Sequence, residues 1–201
     1  MDHFRACAIC GRNFGQIRFL CTYCHHRLKQ ISDSGNEQMI GGVPIFCLLP
    51  WSVTTGDFSQ KMVISLKEEN SRIGYDFISK EFLWRLDRRG QSWSTKAWLC
   101  PAPGSSKSRC HAEVFANALS IRTGLPVHPV LERKNSSKGT QKSKSAKLRR
   151  SIQFETVRKP PPGPCFFVDD VVTTGATVLA AKKALGEGKN FQAWSLSCRS
   201  D

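Results

Sequence analysis

Residues 165–177 carry side chains that suit the binding of a sugar phosphate. The apolar run at 166–168 is typical of a strand covered on both faces in a parallel sheet. Asp169 and Asp170 follow at once, at the end of the strand where open α/β sheets bind their ligands. Both carboxylates can accept hydrogen bonds from vicinal hydroxyls. If the backbone stays extended they point to opposite sides, so at most one shares the orientation of the buried side chains while the other faces the crevice.

A hydroxyl-rich turn follows the two aspartates and leads into a predicted helix over residues 178–185. The unpaired N–H groups and the positive dipole end of that helix favour a phosphate, and Gly175 allows its close approach. In the alternative interpretation, the threonines only cap the helix and the aspartates only hydrogen-bond the turn. The predicted phosphate-binding loop consists of Thr173, Thr174, Gly175, Ala176 and Thr177.

Two Cys-x-x-Cys pairs near the amino terminus predict a structural zinc site. Ten residues separate Cys7 and Cys10 from Cys21 and Cys24, and pairs at this distance can converge on one tetrahedral ion. Four thiolates leave no open coordination position, so zinc would fold the segment rather than catalyse a reaction. Disulfides and redox-active pairs are the alternatives. Residues 1–6 contain no apolar signal-peptide core, so we expect a cytoplasmic location with reduced thiols.

Other cysteines and two histidines lie outside this predicted ligand set. His25 and His26 follow the second pair directly, and either is able to replace a thiolate, but beside a complete set of four cysteines we expect both histidines to face solvent. The remaining cysteines show no paired spacing, and we expect small core or surface residues at Cys47, Cys100, Cys110, Cys165 and Cys198.

The charge of the chain favours a polyanionic partner such as nucleic acid or a phosphorylated ligand. The 201 residues carry a net charge of +14, and residues 133–150 include eight basic and no acidic side chains. This polar segment predicts a loop that contacts phosphates or is only solvated. It contains no aromatic residue, so it does not indicate base stacking. No stretch of the sequence is apolar for long enough to cross a bilayer.

The rest of the sequence alternates predicted strands and helices. Predicted strands cover 43–49 (interrupted by Pro44 and closed by Pro50), 97–100, 127–131 and 193–197. Predicted helices cover 58–67, 72–86 and 112–121. This alternation predicts an α/β fold with a parallel sheet flanked by helices. We expect a small zinc-binding module over residues 1–42 and the main domain over 43–201.

The apolar strand, the Asp-Asp pair and the Thr-Gly-x-Thr turn resemble the phosphoribosyl-pyrophosphate motif of type I phosphoribosyltransferases. The resemblance implies that Asp169 and Asp170 are the catalytic-site carboxylates, which contact the ribose hydroxyls and an associated magnesium ion. It also implies that residues 173–177 bind the 5-phosphate.

Over nearly its whole length the chain resembles the ComF family. The shared order is a four-cysteine module, Lys67 in a helix, a Pro-x-Pro element at a strand end, Gln141 in a basic loop, and the Asp-Asp motif. The resemblance implies a cytoplasmic type I phosphoribosyltransferase-like protein, linked to natural competence, that handles incoming single-stranded DNA beside a helicase. It implies a hood over the site at residues 133–150 and a pyrophosphate loop at Pro101, Ala102, Pro103 and Gly104.

One segment departs from that family. ComF proteins usually carry Arg-Gly-Phe-Asn-Gln-Ala after the Pro-x-Pro element, whereas this chain has Lys107-Ser108-Arg109-Cys110-His111-Ala112. His111 either takes the hydrogen-bonding place of the glutamine or begins a helix without a ligand.

Two functions therefore compete. One is an enzyme that transfers a phosphoribosyl group, in which Lys107, Arg109 and loop cations stabilise the departing pyrophosphate. The other is a non-catalytic module that binds a nucleotide or single-stranded DNA and assists a helicase, with strongly salt-dependent affinity. The residues identify neither an acceptor base nor a membrane partner.

Overall fold

A computed structural model of the chain describes residues 6–13, 19–33, 36–51, 57–69, 72–104, 110–134, 152–186 and 190–199. These residues form an α/β fold in which helices flank a mostly parallel sheet, and a cluster of four cysteines packs beside it. The predicted α/β class, with a mostly parallel sheet flanked by helices, is therefore confirmed. No helix in these ranges combines the length and apolar character that a membrane span requires.

The sheet has five strands in the order β1-β2-β7-β6-β3, and a separate ribbon has two. The sheet strands are β1 (Asn36–Ile40), β2 (Val43–Trp51), β3 (Trp98–Pro101), β6 (Cys165–Val172) and β7 (Phe191–Arg199), and the ribbon strands are β4 (Leu131–Arg133) and β5 (Phe154–Thr156). The helices are α1 (Thr22–Asp33), α2 (Phe58–Glu69), α3 (Arg72–Arg88), α4 (His111–Thr123) and α5 (Ala176–Leu185).

Side chains that alternate along β6 supply both faces of the sheet. Phe166 and Val168 pack with α2, α3, α4 and the cysteine cluster, whereas Cys165 and Phe167 pack with α5 and the ribbon. Residues 165–168 are all buried, as expected for a central parallel strand. The polar residues 169 and 170 then emerge at the carboxyl end of the strand.

The first strand of the chain was missed by the sequence prediction. β1 is polar and pairs antiparallel with β2 across a tight turn at Gly41 and Gly42, whose φ angles are 55° and 72°. Such left-handed angles at adjacent glycines are typical of a two-residue hairpin. Pro44 and Pro50 were also misjudged, since both lie within β2 and have sheet partners, Met39 and Cys198.

The strand predicted at 127–131 is wrong for most of its length. Val127 makes only an isolated bridge to Leu99, and β4 begins at Leu131 and pairs with β5 outside the main sheet. Pro126 and Pro129 interrupt this segment, and because proline has no N–H donor they prevent a continuous ladder.

Two cysteines predicted to be unpaired are joined in the structure. Cys47 on β2 and Cys198 on β7 form a disulfide, with their Cα atoms 5.8 Å apart and a sequence separation of 151. The adjacent strands β2 and β7 bring the two cysteines together, and no short-range spacing in the sequence predicts a disulfide between residues so far apart. Cys100 and Cys165 are buried core residues, as predicted.

Candidate functional site

Four cysteines form the first candidate site. The Sγ atoms of Cys7, Cys10, Cys21 and Cys24 all lie within 4.8 Å of one another, and those of Cys10 and Cys21 are 3.7 Å apart. A tetrahedral zinc with bonds of about 2.3 Å would separate its sulfur ligands by about 3.8 Å. The predicted ligand set is therefore brought together, and its geometry is consistent with structural zinc.

Local backbone structure positions these ligands. The first pair lies in a tight loop in which the Gly11 N–H donates to the Cys7 carbonyl oxygen at 2.9 Å, with Gly11 at a φ of 68°. The second pair begins α1, and the Cys24 N–H points to the Cys21 sulfur at 3.5 Å. Burial opposes ionisation of Cys7, but backbone hydrogen bonds from Cys21, Cys10 and Ile9 lower the pKa of the Cys7 thiol to about 7. A thiolate is the form that binds a metal.

Two polar contacts lie between the segment around the four cysteines and the helices α2 and α3. The Ser65 hydroxyl on α2 donates to the Ala8 carbonyl oxygen, inside the first cysteine pair, at 2.9 Å. The His25 Nε2 atom lies 2.9 Å from the Glu81 carboxylate on α3. His25 therefore contacts Glu81 on α3 and is not a member of the cysteine cluster.

The second candidate site is a cavity of about 290 Å³ at the carboxyl ends of β3 and β6. A volume near 300 Å³ is at the small end of ligand pockets and suits a sugar phosphate. Its walls come from α2, the β3 end, the start of α4, β4, β6 and α5. The sequence-predicted residues in its lining are Ala102, Pro103, Gly104, Asp169, Asp170 and Thr177.

The two aspartates differ in environment, as the alternation of a strand predicts. Asp169 is only 7% exposed, and its Oδ1 accepts the Asp170 N–H at 2.9 Å. Asp170 is less buried, and its Oδ2 lies 2.6 Å from the Nζ of Lys67. The Asp170 Oδ1 accepts the Val171 N–H at 2.8 Å. Asp170 is thus held from two sides by an ammonium and a backbone amide.

These environments move the two pKa values apart. Burial, together with the neighbouring Asp170 carboxylate, raises the pKa of Asp169 well above its usual range. Burial also opposes ionisation of Asp170, but the Lys67 ammonium outweighs it and lowers the pKa of that carboxyl. At neutral pH the acidic pair therefore presents one firmly ionised carboxylate and one that resists ionisation.

The predicted phosphate loop begins α5. Gly175 precedes the helix at a φ of 72°, and a Cβ there would come 2.5 Å from Ile40 on β1, so both the backbone angle and the packing require glycine. No side chain caps the helix at Gly175. The Thr174 hydroxyl makes only a long contact of 3.5 Å with the Ala176 N–H. The Thr174 contact and the backbone N–H groups that Asp169 and Asp170 accept are those that the alternative interpretation predicts, so the geometry is compatible both with a capped turn and with an anion at the helix start.

The pyrophosphate loop predicted at residues 101–104 is divided by the structure. Pro101 is a buried residue of β3, and the three residues after it line the cavity. Cys110, His111 and Arg133 line it as well. Lys107, Arg109 and Gln141, like most of the predicted hood at 133–150, lie outside the described residues.

The acidic pair does not fit a directly coordinated magnesium ion. One oxygen of Asp170 is already paired with the Lys67 ammonium, and Asp169 is buried and resists ionisation. Magnesium prefers ionised carboxylates and retains several waters. Across the described ranges, the four cysteines are the one cluster of three or more potential ligands.

The sequence prediction of the site omitted Lys67, which pairs with Asp170, and Tyr75, whose ionisation the Asp170 carboxylate disfavours. Lys67 follows Val63 by four residues, so it shares the side of α2 that carries buried Val63. A lysine on an apolar helix face was the signal that could have identified it. Tyr75 is fully buried, and burial and the Asp170 carboxylate raise the pKa of its hydroxyl. No sequence pattern distinguishes Tyr75 from an ordinary core aromatic.

No protein-family model matches the sequence, and no curated protein matches it.

Proposed function

We propose that the cavity binds phosphoribosyl pyrophosphate or a related nucleotide phosphate and that the chain is a phosphoribosyltransferase-like protein. One observation carries the proposal: Asp169, Asp170 and Thr177, which lies in the first turn of α5, line one cavity at the carboxyl ends of the parallel strands β3 and β6, whereas the other four residues of the predicted phosphate loop do not line it. The carboxylates suit the ribose hydroxyls, and the helix start suits the 5-phosphate.

The cations of the cavity support a ligand with a second anionic group. Lys67 and Arg133 line it, and the Arg133 Nε donates to the Pro103 carbonyl oxygen at 3.3 Å. A pyrophosphate leaving group would lie beside positioned donors of this kind. Because Asp170 is paired with Lys67 and Asp169 resists ionisation, a magnesium ion would enter the cavity coordinated by the phosphates of the ligand.

The biological setting rests on the sequence resemblance alone. By that resemblance to ComF proteins, we propose a cytoplasmic role in natural competence and DNA uptake beside a competence helicase. Transfer of the phosphoribosyl group to an acceptor would make the chain an enzyme, and binding without transfer would make it a sensor or carrier on the same scaffold.

The proposal is tested by calorimetric titration of phosphoribosyl pyrophosphate with magnesium into the wild-type chain and Asp170→Asn. Loss of the ionised acceptor should weaken binding at least about tenfold, as expected for a hydrogen bond to a charged group. Asp87→Asn, on the exposed side of α3, is the control for removing one carboxylate. Equal affinity in wild type and Asp170→Asn would refute the site. Pyrophosphate release after addition of a purine or pyrimidine base would identify an enzyme.

A second candidate function, binding of single-stranded DNA, is favoured by an exposed tryptophan among cations. Trp84 on α3 is 38% exposed, and Lys29 and Arg88 lie 5.6 Å and 5.0 Å from its ring centroid. Exposed aromatics flanked by lysine and arginine bind bases by stacking and phosphates by charge. This Trp84 patch supplies the aromatic that residues 133–150 lack.

Fluorescence anisotropy of a labelled oligothymidylate over a salt series tests this candidate. Trp84→Ala should weaken binding about fivefold or more, since stacking contributes about 1–3 kcal/mol per base. Ile121→Ala removes an exposed apolar side chain on α4 and is the matched control. An unchanged affinity in Trp84→Ala would remove the patch from consideration.

A further inference from the structure

We propose that Lys67 is a positioning residue that takes the place of a divalent cation at Asp170, so that the vicinal diol of ribose is bound without magnesium. The inference rests on the proposed sugar-phosphate function of the cavity. It concerns how the diol is recognised, and it departs from the magnesium-assisted contact that the sequence resemblance implies.

The geometry of Asp170 carries the inference. Its Oδ2 lies 2.6 Å from the Lys67 Nζ, and its Oδ1 accepts the Val171 N–H at 2.8 Å. The Lys67 ammonium at Oδ2 fixes the plane of the carboxylate and balances its charge. A metal ion bound at the same oxygen would have the same two effects. A metal ion binding at this oxygen would have to displace the ammonium.

The end of α2 is anchored, so the lysine is presented from a fixed backbone. Leu66, the preceding residue, is fully buried, and its Cδ2 lies 2.7 Å from where a Cβ on Gly74 would be. The Ser65 hydroxyl is bonded to the Ala8 carbonyl oxygen at 2.9 Å. These contacts leave only side-chain rotamers to be ordered when Lys67 meets Asp170, which reduces the entropic cost of the pair.

Acceptor capacity remains for the ligand after these contacts are counted. An ionised carboxylate offers about four lone-pair sites, and Asp170 uses three of them, for the Lys67 ammonium, the Val171 N–H and the Asp169 carboxyl group. Asp169 accepts one hydrogen bond at Oδ1, from the Asp170 N–H. The pair can therefore still receive two neighbouring hydroxyls. The expected ligand class is a ribose phosphate, whereas a 2-deoxyribose phosphate lacks one of the hydroxyls that the pair would read.

The test is calorimetric titration of ribose 5-phosphate into wild type, Lys67→Met and Lys67→Arg, with magnesium and in buffer depleted of divalent cations by ion exchange. Wild type should bind with the same affinity within about twofold in both buffers. Lys67→Met should lose at least about tenfold in the depleted buffer and recover part of it with magnesium. Lys67→Arg should stay within about threefold of wild type, because the contact to the single oxygen Oδ2 of Asp170 needs a positive donor and the guanidinium supplies one.

Two controls separate positioning from a general loss of charge or of folding. Lys61→Met makes the same change on an exposed position of α2 and should behave as wild type. With 2-deoxyribose 5-phosphate, Lys67→Met and wild type should bind equally within about twofold, since the diol contact is already missing. Thermal unfolding of each variant shows whether it folds.

The contrary outcomes are distinct. Wild-type binding of ribose 5-phosphate that requires magnesium, or an equal loss for both sugars in Lys67→Met, overturns the role of Lys67 while leaving the sugar-phosphate site intact. If wild type binds neither ribose 5-phosphate nor phosphoribosyl pyrophosphate with magnesium, the proposed function itself fails, and the inference fails with it.

Discussion

The cysteine cluster and the acidic cavity each bring polar side chains close together, but the cluster takes them from one short segment and the cavity takes them from distant parts of the chain. The four cysteines all lie within residues 7–24, and a tight loop and the start of α1 are enough to bring them together. The cavity instead draws Lys67, Asp170 and Thr177 from different elements across the chain. Local spacing therefore predicts a ligand set, whereas the charge balance of the cavity depends on tertiary packing.

The two regions are nevertheless in contact. Cys7, Phe19 and Cys24 belong to the same hydrophobic core as Leu66 and Tyr75. The hydrogen bond from Ser65 to Ala8 links the first cysteine pair to the helix that carries Lys67. Three variants perturb these regions, and Ser65→Ala tests whether the two are thermodynamically independent.

The largest effect is expected from breaking the cysteine cluster with Cys24→Ser. Because one of the four thiolates is lost, the zinc-to-protein ratio should fall from about one to well below one. The free energy of metal binding contributes to folding in such modules, so stability should fall with it. The thermal midpoint should fall by more than about 10 °C, which corresponds to several kcal/mol in a domain of this size. Elemental analysis and calorimetry measure the two quantities.

Cys110→Ser is the matched control, because Cys110 is half-buried and lies outside the cluster. It should keep the zinc ratio of wild type. A Cys24→Ser protein that retains a full zinc equivalent would show that the cluster is not the metal site.

An intermediate effect is expected in the cavity from Asp169→Asn. The raised pKa of Asp169 means that the folded state resists an ionisation that the unfolded chain undergoes freely, so this carboxyl destabilises the fold above pH 4. The variant should be more stable than wild type at pH 8, by about 1.4 kcal/mol for each unit by which the pKa is raised. The gain should shrink as the pH falls toward the unfolded-state pKa of about 3.9.

Urea unfolding at pH 8 and pH 4.5 measures this dependence. Asp87→Asn, an exposed aspartate on α3, should leave the free energy of unfolding within about 0.5 kcal/mol at both pH values. A gain in Asp169→Asn that is the same at both pH values would mean that ionisation of Asp169 is not its cause.

The smallest effect is expected from Ser65→Ala, which cuts the hydrogen bond between the two regions. Stability should fall by about 1 kcal/mol, and the affinity for ribose 5-phosphate should fall about two- to threefold because α2 presents Lys67 less firmly. Zinc content should not change. Ser120→Ala removes a comparable hydroxyl on α4, which donates to the Leu125 carbonyl oxygen at 2.7 Å.

Ser120→Ala should lower stability by a similar amount and leave the affinity for ribose 5-phosphate unaltered. If both serine variants affect the affinity equally, the link through Ser65 has no special role, and the module and the cavity are independent.

Much of the fold was predictable because its signals are local. Helices α2, α3 and α4 begin and end within a few residues of their predicted bounds, and Gly124 ends α4 with a φ of 72°. β1 escaped prediction because its residues are polar, and the strand at 127–131 failed because its prolines break the ladder. The Cys47–Cys198 disulfide was not predicted because its partners have a sequence separation of 151.

The amino-acid sequence by itself determined the α/β class and the four-cysteine cluster, since each depends on residue type and short-range spacing. Only the tertiary structure decided that Lys67 meets Asp170 and that Asp169 is buried and resists ionisation. The physical reason is that burial and charge proximity arise from elements far apart in sequence, and these two quantities set pKa values and decide whether a carboxylate is open to a metal ion.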